Sequence, residues 1–114
     1  MEPPIPQTWI NSVVQICRSG SVHREILVTR RAMQDWEATT MGWPHDLVDA
    51  IQEALNCTGV CGNLIETMED PGETYAFWIY HKSRKLYAKV CLLQGRVKIK
   101  IISAHTPLKG TERL

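Results

Sequence analysis

Apolar residues recur at helical spacing through the first half of the chain and alternate with polar ones through the second. Trp9, Ile10, Val13, Val14, Ile16 and Cys17 fall on one face of a period near 3.6, with Thr8 ahead as a capping residue and Ser19 and Gly20 behind as a stop. This predicts a first helix over about 9–18. Thr29 is an N-cap for a second helix in which Ala32, Met33 and Trp36 share a face, ending near Met41 and Gly42. Trp43 and Pro44 open a third, because proline suits a first helical turn and Asp46 complements the helix dipole there. Leu47, Val48, Ile51, Ala54 and Leu55 form its apolar stripe.

Residues 56–62, with two glycines, break the helical pattern, and the chain beyond them reads as strand. A short strand is expected over 63–68, a turn over 70–73, an aromatic-rich strand over 74–80 and a connection over 81–85. The stretches 85–93 and 96–105 alternate at period two around Gln94 and Gly95, as the two arms of an antiparallel hairpin do. The predicted fold is α+β, with three N-terminal helices packed on one face of a four-stranded antiparallel sheet. At 114 residues it forms one domain, with flexible ends over 1–7 and 106–114.

Charge divides the chain. Residues 1–80 contain four Arg and no Lys against eleven Asp and Glu, whereas 81–114 contain nine Lys and Arg against Glu112 alone. A basic hairpin on a near-neutral domain suits a polyanion, although lysines along a sheet also serve to block edge-to-edge aggregation. No run of apolar residues is long enough for a membrane helix, and the start of the chain has neither the basic nor the apolar region of a signal peptide. A cytoplasmic protein with reduced thiols is therefore expected. Cys17 and Cys91 fit core positions, while Cys57, Cys61 and His45 fall short of the four ligands of a structural zinc site. No metal or other cofactor is expected.

The candidate chemistry lies on the hairpin. Tyr87 and Lys89 share a strand face, as do Lys98 and Lys100. His105 is the natural acid or base, since imidazole titrates near neutral pH. Strict alternation, however, puts it with Val97, Ile99 and Ile101, opposite the lysines. A bulge at Ile101–Ile102, or an early end to the strand, would turn it to the face of the lysines. His81, Lys82, Arg84 and Lys85 are suited to gripping a phosphate backbone from the preceding connection. Trp9, Trp36 and Trp43 read as core or interface anchors, and Trp78 as core rather than a base-stacking residue.

The order of these features resembles the MqsR-type mRNA interferase toxins of the wider RelE-like and barnase-like nuclease group. The resemblance runs from about Thr8 to His105. It rests on Gly20-Ser21-Val22, Thr29-Arg30-Arg31-Ala32, Met41-Gly42, Trp78-Ile79-Tyr80, Tyr87-Ala88-Lys89-Val90 and Ile101-Ile102-Ser103-Ala104-His105. It implies a metal-independent endoribonuclease in which the RNA 2′-hydroxyl attacks the adjacent phosphorus, held in check by a DNA-binding antitoxin protein. The family's strand tyrosine falls on Tyr87 and the basic residue closing its last strand on His105. A lysine closes that strand in MqsR itself; the histidine of this chain is similar to related phage and polymorphic-toxin nucleases. The glutamine of the family's second strand has no counterpart near Phe77. Two other readings stand beside this one: a non-catalytic module binding RNA or protein through the hairpin, and a related nuclease that cuts tRNA or ribosomal RNA.

Overall fold

The computed structural model describes residues 3–57, 59–66 and 71–107. Three helices, α1 (Gln7–Ser19), α2 (Arg30–Thr40) and α3 (Pro44–Leu55), accompany five strands: β1 (Ile26–Val28), β2 (Asn63–Ile65), β3 (Gly72–His81), β4 (Arg84–Leu93) and β5 (Ile99–His105). The sheet runs in the order β1-β5-β4-β3-β2. The α+β class is as expected, but the four-stranded antiparallel sheet is not: among the described residues there are five strands, and β1 lies parallel to β5. Only Ile26, Leu27 and Val28 make up β1, which is too short for alternation to register and precedes a helix cap. Its pairing is completed by the Ile99 N–H donating to the Glu25 carbonyl at 2.9 Å and the Thr29 N–H to the Ile101 carbonyl at 3.1 Å.

The helix ends follow local chemistry. At the start of α2 the Thr29 hydroxyl accepts from the Ala32 N–H at 3.1 Å, and the helix ends on Met41 in the left-handed region, φ 58°. Asp46 accepts from the Trp43 N–H at 2.8 Å and holds the start of α3. α1 begins two residues earlier than expected, so Thr8 lies inside the helix and Pro6 precedes it.

Residues 3–7, expected to be flexible, are instead tied down. Ile5 is buried, its N–H donating to the Val60 carbonyl, and the Pro3 carbonyl accepts from Gly62, both at 3.1 Å. One apolar side chain among the prolines anchors the segment. β5 also begins later than expected, at Ile99. Arg96 turns in the left-handed region, φ 58°, and its guanidinium reaches Glu73 at 3.1 Å and the Thr8 carbonyl and Ser12 hydroxyl at 3.2 Å each. The strand expected at 67–68, Asp70 of the expected turn and the tail from 108 lie outside the described residues. No described helix is long and apolar enough to cross a membrane.

The helices share one core with one face of the sheet. Trp9 meets the edges of Tyr75 and Phe77 at 5.0 and 6.1 Å, and Trp36, Leu47 and Ile51 are fully enclosed. On the sheet side the core takes every second residue of β4, namely Leu86, Ala88, Val90 and Leu92. The intervening positions Tyr87 and Lys89 therefore point to the opposite face. Trp43, by contrast with Trp9 and Trp36, is 70% exposed.

Cys17 and Cys91 are buried, as expected, and Cys57 and Cys61 are exposed. Burial, with the Asp49 carboxylate second, pushes the Cys17 thiol up to about 12 from 9.0. In the native protein only Cys57 and Cys61 should react with iodoacetamide at pH 8, and all four in denaturant, which mass spectrometry reads directly. Between pH 9 and about 12 the unfolded chain loses the Cys17 proton while the folded one keeps it, so stability should fall as pH rises through that window.

Candidate functional site

β4 is the centre of the site because strands pair with it on both sides. Trp78 of β3 stands opposite Tyr87, and Tyr87 opposite His105 of β5; one row along, Ala76, Lys89 and Ser103 are aligned. Both rows lie on the face away from the helices.

A bulge in β5 brings His105 into this row. Val90 pairs with Ile101 but Lys89 pairs with Ser103, so Ile102 is left over. Before the bulge Ile99 and Ile101 face the core; after it Ala104 does, fully buried, while Ser103 and His105 turn outward. Of the two routes open to the sequence, the bulge at Ile101–Ile102 is the one taken. Thr29 secures it. Its hydroxyl donates to the Ile102 carbonyl at 3.1 Å while capping α2, so one side chain fixes both the bulge and the helix that follows β1.

Thr29→Val keeps the shape and removes both bonds. We expect a loss of about 2 kcal/mol, a fall in Tm of roughly 10 °C, and recovery in Thr29→Ser, measured by thermal melting.

The imidazole of His105 stacks on the Tyr87 ring with centroids 5.1 Å apart and planes inclined by 25°. Its Nδ1 lies 2.7 Å from the Thr106 carbonyl. A carbonyl only accepts, so Nδ1 carries the hydrogen and Nε2 of the neutral ring is the basic nitrogen. Burial holds the Tyr87 phenol above its ordinary range, which keeps it protonated, a donor rather than a base, at neutral pH. The Lys89 ammonium lies 5.9 Å from the Tyr87 ring centre, and the Lys85 ammonium 4.2 Å above the Trp78 ring. Trp78 meets Tyr87 edge-on at 6.1 Å. On the far side of His105, a pocket of about 300 Å³ runs between the end of β5 and α2, lined by Arg31, Asp35, Ala38, Thr39, His105 and Thr106. Arg31 and Asp35 face each other there at 3.6 Å. One small area thus carries a proton acceptor, a proton donor and fixed positive charge.

No protein-family model, curated protein or solved structure matches this chain.

Of the residues singled out from sequence, Tyr87, Lys89 and His105 come together, with Lys85 beside them. Lys100 shares their face two rows along, in register with Cys91. Lys98 precedes β5 and is exposed. His81 lies elsewhere: it alternates with Phe77 and Ile79 and rests on Trp36 at 5.0 Å, on the helix side. Lys82 occupies the β3–β4 turn, φ 49°, and Arg84 is exposed on the helix-side alternation of β4. Among the described residues, no group of three or more His, Cys, Asp or Glu is placed to hold a metal ion. Two neighbours of the site are not among the residues the sequence singles out for it. Ser103 reaches this face only through the bulge. Trp78 read as core because it sits in an aromatic run whose neighbours Phe77 and Ile79 are core.

Proposed function

We propose that this chain is a metal-independent endoribonuclease of the MqsR-type, RelE-like toxin class, acting on RNA in the cytoplasm and restrained by a cognate antitoxin. The observation that carries the reading is the bulge at Ile102, which sets His105 against Tyr87 beside Lys89. A RelE/MqsR-like fold suits the architecture, in which helices cover one sheet face and the other carries the candidate residues.

In this reading His105 Nε2 takes the proton of the 2′-hydroxyl, whose oxygen attacks the adjacent phosphorus. The P–O5′ bond breaks as the Tyr87 phenol donates its proton to the leaving oxygen, and a 2′,3′-cyclic phosphate remains. Lys89 offsets the charge that gathers on the non-bridging oxygens. The proton on His105 returns to solvent and Tyr87 is reprotonated, so overall one proton passes from the 2′- to the 5′-hydroxyl.

Production of the wild-type chain alone should arrest growth, and the purified protein should cut a labelled mixed-sequence RNA in EDTA. His105→Ala should do neither. Unaffected growth together with intact RNA would reject the reading. The second reading, a non-catalytic RNA-binding module, is favoured by the row Trp78, Tyr87 and His105, because aromatic rings on an open sheet face also stack bases without cutting. Salt-dependent RNA binding without cleavage would support it.

A further inference from the structure

Trp78 faces away from the core. Its neighbours along β3, Phe77 and Ile79, are fully buried in the core, whereas the Trp78 indole lies half-buried on the opposite face. β2 pairs with β3 only at Thr74, Tyr75 and Ala76, so among the described residues no strand pairs with Trp78 on the side away from Tyr87. On this face the ring meets the Tyr87 edge at 6.1 Å and the Lys85 ammonium at 4.2 Å from its centre. A cation resting on a half-buried indole at the surface is weakly held, and a phosphodiester draws it more strongly than the ring does.

We propose that Trp78 and Lys85 form a nucleotide subsite for single-stranded RNA, in which an unpaired base stacks on the Trp78 indole and Lys85 moves from the ring to the phosphate of that nucleotide. The proposal rests on the nuclease reading for its context: the stacked base is the one flanking the scissile phosphate on the β3 side of Tyr87 and His105. Stacking on a π-face needs an unpaired base and tolerates any base identity. A duplex keeps its bases stacked on one another and offers the ring nothing. The subsite therefore selects unpaired RNA over paired RNA, independent of sequence.

The test is direct binding of a short mixed-sequence oligonucleotide with 2′-deoxy sugars, which cannot be cut by 2′-hydroxyl attack, alone and annealed to its complement. Wild type should bind the single strand and prefer it to the duplex. Trp78→Ala should weaken single-strand binding by about 10-fold or more, and Trp78→Phe should retain most of it. Both variants should melt as the wild type does, which separates a stacking role from a folding one. On cleavable RNA the Trp78→Ala loss should appear in KM, with kcat little changed. Equal binding by Trp78→Ala and wild type, no preference for the single strand, or no binding by wild type would each overturn the proposal. Trp78-dependent binding by a wild-type protein that cuts no RNA would support the stacking subsite while rejecting the nuclease reading.

Discussion

Replacing His105 by alanine should lower RNA cleavage by about 10²–10⁴-fold, the range usual for a general acid or base. The fold should survive. His105 is the last residue of β5 and only half-buried, and its ring stacks on Tyr87 and bonds the Thr106 carbonyl on the face away from the core. RNA affinity should change little, because Lys85, Lys89 and Trp78 remain. The loss therefore belongs in kcat, measured beside a thermal melt that shows the variant folded. Near-wild-type cleavage by a folded His105→Ala protein would remove the histidine from the chemistry and leave Tyr87 and Lys89 without a base.

The largest expected effect on stability lies on the other face of the sheet, at Trp36. This side chain is completely buried, its indole N–H donates to the Trp43 carbonyl at 3.0 Å, and its ring packs against His81 at 5.0 Å. The same Trp43 carbonyl accepts from the N–H groups of Asp46 and Leu47 as α3 begins, so Trp36 links α2, the start of α3 and the end of β3. Trp36→Ala should cost about 3–5 kcal/mol. Against a total of roughly 5–15 kcal/mol for a domain, that leaves much of the protein unfolded at 37 °C. Trp36→Phe keeps most of the apolar volume and should be markedly milder. Urea unfolding of the two variants beside wild type measures the difference.

These two residues mark what the sequence made readable. Trp36 was legible because helix stripes are long: Ala32, Met33 and Trp36 repeat on one face, and Thr29 and Met41 mark the ends of α2. The β4 alternation was legible for the same reason, and with it the shared face of Tyr87 and Lys89. β1 was hidden because three residues carry almost no periodic signal and its partner β5 lies near the other end of the chain. The bulge was ambiguous because Ile101 and Ile102 are both apolar, so either can face the core. Ala104 is the residue that decides it. A small side chain fits against Ala88 beneath the sheet, where Ser103 or His105 would bury a polar group.

His81 was legible in principle, since two-residue steps from Phe77 and Ile79 lead to it, but its place next to Lys82 and Arg84 suggested the basic loop instead. Lys98 looked like part of a strand because alternation continues back through Arg96. Long-range contacts of Arg96 with Glu73, Thr8 and Ser12 hold that segment in a turn, and no local pattern reveals them.

The most direct test of the central claim is the chemistry of the cut ends. A single-stranded RNA oligonucleotide is incubated with the purified protein in EDTA, and the fragments are identified by mass. The expected products are a 5′ fragment ending in a 2′,3′-cyclic phosphate and a 3′ fragment beginning with a 5′-hydroxyl, with no cut where the attacking nucleotide carries a 2′-deoxy sugar. Fragments ending in a 3′-hydroxyl, or cleavage at the 2′-deoxy position, would contradict attack by the 2′-hydroxyl and with it the roles of His105 as base and Tyr87 as acid.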